Sequence, residues 1–284
     1  IMTEQEESAT DFIIGPYGSS EVLAAVPVTE PARKILLIPG SQSDEVSDAG
    51  EYVFRLVHHT SQEVPIFAPF IAKRMQGDSL HMLAINTGVT TSYMNKLPSA
   101  LEQLGKRIGV YEKFEASASD FKTPLTKMKE AAATDIFLIA TPKQSGLILK
   151  QADELGIKAQ FYGIGVEGPE LVQVAGPLAN GLLYPYSYDS TSEEDSVKRF
   201  HDAYVERFKS ENDTLAANAY DGAMLLSNCW EKIGTEVEKV KECLYQIKDY
   251  AGAGGTFSID EKGDVSKPLI IKTVKDGKLV KYQE

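Results

Sequence analysis

A repeating order of short apolar strand, Gly- or Ser-rich turn and amphipathic helix limits this chain more than any other feature. Residues 11–14, 34–38 and 52–57 read as strands, with helices expected from Ser19 or Ser20 and over 61–75. A serine at the first helix start is suited to cap it. Ile66, Phe70 and Ile71, with Phe67 beside them, are expected on the apolar face of the second helix. A further set follows. Strands are expected at 81–85, 107–111, 135–140, 159–163 and 181–185, with helices over 92–104, from Asp120 to about 132, over 145–155 and after Pro169. Beyond Ser190 the rhythm changes to three helices, at 193–210, 215–233 and about 236–245. Strands at 255–259, 268–274 and 279–282 close the chain, with a hairpin turn at Asp276-Gly277.

Alternating strands and helices imply parallel sheets covered on both faces. The fold class expected is α/β, with two Rossmann-like lobes joined by a hinge. The first lobe is expected to take residues 1–77 and 188–250, the second 78–187 and 251–284. No Pro/Gly/Ser-rich linker separates the sets, so the crossovers are short.

Composition narrows the function. Lysine and arginine number 29 against 41 acidic residues, a net charge of -12. Nucleic acid and anionic membrane surfaces call for the opposite sign, so neither is an expected partner. No apolar run approaches the ~20 residues of a membrane helix. The histidines are His58, His59, His81 and His201, and the cysteines are Cys229 and Cys243. None has metal-ligand spacing, so no metal is expected. The two cysteines stand as a disulfide pair or as free thiols; spacing alone does not decide. Phosphate-loop and nucleophile-elbow motifs are absent, and GIGVEG at 163–168 lacks the full dinucleotide-binding glycine spacing. No cofactor and no catalysis are expected. Glu193, Glu194 and Asp195 open a helix, where its dipole favours acidic side chains.

In parallel α/β sheets ligands meet the loops beyond the carboxyl ends of the strands. Here those loops hold Tyr17, Gly18, Ser19 and Ser20; Gly40, Ser41 and Gln42; Thr91, with Tyr93 just beyond it in the following helix; Thr141; and Glu167. Gly18 permits close approach, and the amides at Ser19 and Ser20 open a helix whose positive end suits a carboxylate. Glu167 reads either as a partner for a ligand ammonium or as a solvated loop residue. Lys143 reads either as a partner for a second carboxylate or as an exposed lysine.

Six motifs occur in one order over nearly the whole chain. They are FIIGPYGSS at 12–20; LLIPGS at 36–41 with YVFR at 52–55; Asp120, Phe121, Leu125 and Met128 with TDIFL at 134–138; QADELGI at 151–157; AYDGA at 219–223; and GGTFSIDEKGD at 254–264. Together they resemble the type I periplasmic binding proteins of the leucine/isoleucine/valine-binding group, substrate-binding components of ABC transporters. The resemblance implies an extracytoplasmic, periplasmic protein that captures an amino acid or small carboxylate between two lobes and delivers it to an ABC permease. An alternative use of the same fold is a ligand-sensing receptor or regulator domain. The resemblance also implies that the N-terminal strands of the first lobe and a signal peptide would precede Phe12 and are missing from this chain. In the family the positions of Ser19 and Gly40 touch the amino-acid head group. A threonine stands at the position of Gln42, a tyrosine at Thr91 and an acidic residue at Gly165, two places before Glu167. These departures put the amino-acid head-group site in question.

Overall fold

A computed structural model describes residues 10–283. In chain order the elements are β1 (Phe12–Ile14), α1 (Ser19–Thr29), β2 (Ile35–Ile38), β3 (Val53–Arg55), α2 (Thr60–Arg74), β4 (Ser79–Ile85), α3 (Gly88–Glu102), β5 (Arg107–Phe114) and α4 (Lys122–Glu130). They continue with β6 (Asp135–Ile139), α5 (Pro142–Glu154), β7 (Gln160–Ile164), α6 (Pro169–Ala175), β8 (Leu183–Tyr186), α7 (Asp195–Phe208), α8 (Thr214–Ile233) and α9 (Val237–Tyr245). Five strands close the chain: β9 (Tyr250–Gly252), β10 (Gly255–Ile259), β11 (Val265–Ser266), β12 (Ile270–Lys275) and β13 (Lys278–Lys281).

The chain forms two compact units. Unit 1 takes Ile1–Thr60 and Ser187–Pro268; unit 2 takes Ser61–Tyr186 and Leu269–Glu284. These spans differ from the expected lobes in two places. Helix α2 belongs with unit 2, because Val64, Phe67, Ala68 and Ile71 pack into the core that holds Met82, Phe137 and Tyr162. Its buried face is therefore not quite the expected one, and Ile66 is 47% exposed. Strands β9 to β11 belong with unit 1, where Phe257, Ile259 and Val265 join the core of Leu37 and Phe54.

Unit 1 is built on three parallel strands in the order β1-β2-β3. Side chains alternate across a strand, so an apolar run fills two cores at once. In β2, Leu36 and Ile38 meet Val22 and Val26 of α1. Ile35 and Leu37 face the opposite way, toward Leu225 and Leu226 of α8 and Val240 and Leu244 of α9. A Cys229–Cys243 disulfide ties α8 to α9. That answers a pairing the sequence left open.

Unit 2 carries seven strands in the order β13-β12-β8-β7-β6-β4-β5. The central strands run parallel, and the β12–β13 hairpin adds antiparallel to β8. Asp276 and Gly277 both have positive φ, as a tight two-residue hairpin turn requires. Strand β6 repeats the logic of β2. Ile136 and Leu138 face α4, α5 and α6, whereas Phe137 and Ile139 face α2 and α3. Full burial of Phe137 contributes about 1.5–3 kcal/mol.

The disulfide closes a sequence separation of 14 residues. A loop of that length stabilises a fold by about 3 kcal/mol. Cys229→Ala/Cys243→Ala is expected to lose stability of that order in urea unfolding, and dithiothreitol to do the same to the natural chain. An unchanged midpoint in both would show that α8 and α9 do not depend on the bridge.

Candidate functional site

In unit 1 the loops after β1 and β2 come together. Gly18 caps α1 with extended backbone and no side-chain bond, so neither Ser19 nor Ser20 is the cap. Ser19 is instead the first helical residue, and its Oγ accepts a hydrogen bond from Ser41 Oγ at 3.0 Å. Ser41 holds a left-handed φ of 72°. Such a conformation is uncommon for a residue with a Cβ and persists where surrounding bonds enforce it. Gly40 lies against Tyr17; a Cβ there would stand 2.5 Å from the tyrosine ring and 2.8 Å from its carbonyl oxygen. Tyr17 itself is 65% exposed. Ser20 points to solvent. Gln42 Nε2 lies 3.0 Å from His58 Nε2, and its carbonyl accepts from the amide and hydroxyl of Thr60.

A buried ion pair enforces the Ser41 loop. Arg55, fully buried at the end of β3, donates from Nε to Asp264 Oδ1 at 2.8 Å. Its Nη1 donates to the carbonyls of Ser41 and Ser43 at 3.2 and 2.6 Å, and its Nη2 to Ser47 Oγ at 2.5 Å. Burial lowers the guanidinium pKa, and the Asp264 charge works against that loss. The loop carbonyls thus lean on a cation that cannot move without leaving its buried charge uncompensated by Asp264.

A second brace comes from α8. Asn218 and Asp221 share one helix face. Asn218 Nδ2 donates to the Pro39 carbonyl at 3.0 Å, next to Gly40. Its Oδ1 accepts from Lys267 Nζ at 2.7 Å. Asp221 accepts the amides of Ala253 and Gly254 at 2.6 and 2.9 Å. Burial pulls the Lys267 ammonium down to about 8, and the Asp221 carboxylate holds it from falling further.

In unit 2 the loops lie beyond β4, β6 and β7. Thr91 is exposed in the first turn of α3, with its Oγ1 3.4 Å from the Thr87 carbonyl. Tyr93 turns the other way: it is 1% exposed, packs on Phe137 and donates to Glu63 Oε2 at 2.6 Å. It is a core residue, because its place in the helix puts it over the sheet. Thr141 caps α5 in a reciprocal arrangement with Gln144. Glu167 is not a solvated loop residue. Its Oε1 meets Lys272 Nζ at 2.7 Å, with the two side chains 8% and 5% exposed. Burial and the Glu167 charge push the Tyr184 hydroxyl pKa up.

The structure therefore joins Tyr17 to Gly40 and Ser19 to Ser41, places Gln42 beside them in sequence, and sets Thr91 and Thr141 at strand ends of unit 2. Sequence reasoning missed Arg55, Asp264, Asn218, Lys267 and Lys272. Only Arg55 left a signal, as a charge inside the apolar run YVFRLV. Among the described residues no group of histidine, cysteine and carboxylate side chains could hold a metal ion. Among the same residues no helix is long and apolar enough to cross a membrane.

One family matches nearly the whole chain. A sequence model of the periplasmic binding proteins covers residues 5–278. The chain belongs to that family. Among curated proteins it is 24% identical over 259 residues to the leucine-, isoleucine-, valine-, threonine- and alanine-binding protein of Pseudomonas aeruginosa, covering 89% of this chain and 68% of that one. Two solved structures share the fold. The leucine-binding protein of Thermotoga maritima superposes with a TM-score of 0.90 at 24% identity, covering 99% of this chain and 81% of that one. A solute-binding protein of an ABC transporter from Rhodopseudomonas palustris BisB5, in complex with 3,4-dihydroxybenzoic acid, gives 0.85 at 22%, covering 96% and 77%. This periplasmic binding protein thus has relatives described with amino acids and one solved with an aromatic acid.

Two tests address the braces. Asp264→Ala leaves Arg55 buried and uncompensated, which costs about 3–5 kcal/mol. Arg55→Met/Asp264→Leu, with both charges gone, is expected to recover most of that in the same denaturant titration; equal losses would deny the pairing. For Lys267, the unfolded chain keeps its proton to about 10.5 and the folded chain releases it near 8. Between those values the unfolded state binds more protons, so this group's contribution to stability rises with pH, by up to about 3 kcal/mol. Below pH 8 its full penalty remains. The stability of the natural chain relative to Lys267→Met should climb between pH 8 and 10; a flat difference would show an unperturbed lysine.

Proposed function

We propose that this protein is an extracytoplasmic solute-binding protein that captures a small polar molecule, an amino acid or small carboxylate, and delivers it to an ABC permease. One observation carries the reading. At the carboxyl ends of β1 and β2 a hydroxyl pair, Ser19 and Ser41, stands beside the N-terminus of an 11-residue helix. Unsatisfied amides and the positive end of the dipole favour an anion there. The space beside Gly40 is taken by Tyr17 and that beside Gly18 by the Glu21 carboxylate, which a solute anion has to displace from the start of α1. Thr91 and Thr141 supply further hydroxyl-bearing positions at strand ends in unit 2. The Arg55–Asp264 pair and the Asn218 brace hold the unit 1 loops in place before any solute arrives. Preorganisation of this kind is where binding affinity is gained.

The Cys229–Cys243 disulfide supports an extracytoplasmic location, since such bonds persist in oxidising compartments. The relatives support the solute class, because one is named for amino acids and another was solved with a carboxylic acid.

Thermal unfolding in the presence of a panel of amino acids and small carboxylates tests the proposal. A true solute at a hundred times its Kd adds about 2.7 kcal/mol, a rise in Tm of about 4–5 °C for a protein of this size. The same solute is expected to lose at least about tenfold in affinity with Ser19→Ala, the cost of one hydrogen bond to a charged group. A panel without any stabilising member would remove the small-solute reading.

A further inference from the structure

Helix α7 of unit 1 is only partly covered. Of its 14 residues only Val197 is buried. Arg199, Phe200, Ala203, Tyr204, Arg207 and Phe208 follow the three-and-four spacing of one helix face. They line a groove of about 600 Å³ whose other walls are Tyr220 and Met224 of α8 and Tyr250 of β9. All of these residues belong to unit 1, and none to the strand-end loops. The rings form a continuous row. Tyr220 and Phe200 have centres 4.9 Å apart, Phe200 and Tyr204 5.8 Å, and Tyr204 and Phe208 4.7 Å. Both ends of the row are open to water, with Tyr220 47% and Phe208 56% exposed. Contiguous exposed apolar surface of this kind marks a place where another molecule sits.

Charge narrows what that molecule is. The chain carries a net charge of -12, yet the groove is lined by two arginines, Arg199 and Arg207. Eight residues of helix set them about 12 Å apart along the axis. Asp195, Asp202 and Glu206 share the helix, but among the described residues neither arginine forms an ion pair. The Arg207 guanidinium lies 5.5 Å from the centre of the Phe208 ring. The carboxylate in the lining, Asp221, is turned inward, where it accepts the amides of Ala253 and Gly254. A second copy does not complement this face. A two-fold pairing of α7 with itself, centred on Ala203, sets Arg199 of each copy against Arg207 of the other. An anionic bilayer presents its charge over the whole molecule and is repelled by the net charge. A single helix with a few carboxylates places them only at the groove.

We propose that the groove between α7, α8 and β9 docks an amphipathic acidic helix of a partner protein. Its apolar face covers the row of rings, in the manner of a helix laid into a hydrophobic groove. Carboxylates two turns apart along one edge of that face meet Arg199 and Arg207. Paired guanidinium–carboxylate bonds then fix the position of the helix along α7.

Fluorescence anisotropy tests this with a labelled, acetylated and amidated peptide of about four helical turns. The peptide carries leucines on one face and glutamates two turns apart along one edge of it. A second peptide carries lysines in place of the glutamates. The natural chain is expected to bind the glutamate peptide at least about tenfold more tightly than the lysine peptide. That comparison needs no substitution, so a variant that fails to fold does not block the test. Arg199→Glu/Arg207→Glu changes two exposed positions and is expected to reverse the order. Tyr204→Ala is expected to weaken the glutamate peptide at least about tenfold. Binding of neither peptide, equal binding of both, or an order unmoved by the double charge reversal overturns the docking of an acidic helix. Capture of the natural chain by phosphatidylglycerol vesicles, or a dimer in sedimentation, also overturns it if the same double variant abolishes that association: the face then belongs to a membrane or to a second copy.

Discussion

A parallel strand with apolar helices on both faces has only its ends left for polar chemistry. That constraint organises both units. Strand β2 sends Leu36 and Ile38 one way and Ile35 and Leu37 the other, and β6 does the same with Ile136 and Phe137. No side chain along such a strand is available to a solute. Recognition must be built from the turns, and turns are intrinsically soft. The Ser41 turn is stiffened from behind by Arg55, and the Pro39-Gly40 turn by Asn218. The buried charges serve the position of the loops, and the apolar layers hold those charges in place.

Three buried cations find their acceptors within their own units. Arg55 with Asp264, Lys267 with Asn218 near Asp221, and Lys272 with Glu167 set each buried cation beside an acceptor from its own unit. Breaking any one leaves a charge stranded. At the unit 1 loops helix amides and hydroxyls favour a negative group, whereas burial, and after it the Asp213 and Glu21 carboxylates, raise the Tyr17 hydroxyl pKa.

Much of the fold was legible. Runs such as DIFLI at 135–139 and ILLI at 35–38 announce strands buried on two faces. The turn serines and glycines announce the loops that meet ligand in such sheets. Other features depend on distant partners. Strand β9 is YAG, too short and too weak in β propensity to be seen without β10 beside it. Helix α3 begins at Gly88 because Thr90 Oγ1 bonds the Ile85 carbonyl, an anchor with no signature in a Gly-Val-Thr-Thr run. The placement of 250–268 in unit 1 follows from Phe257 and Ile259 in its core and from Asp264 meeting an arginine 209 residues away. Tyr93 illustrates the opposite error. A tyrosine near a strand end suggests a ligand contact, yet one turn of helix decides whether it faces the loops or the sheet.

Backbone-amide chemical shifts during titration with a panel of amino acids and small carboxylates would test the central claim most directly. The account predicts saturable shifts concentrated at Gly18, Ser19 and Ser20, at Gly40, Ser41 and Gln42, and at Thr91 and Thr141. No shift with any of these solutes, or shifts confined to residues away from the strand ends, would contradict it.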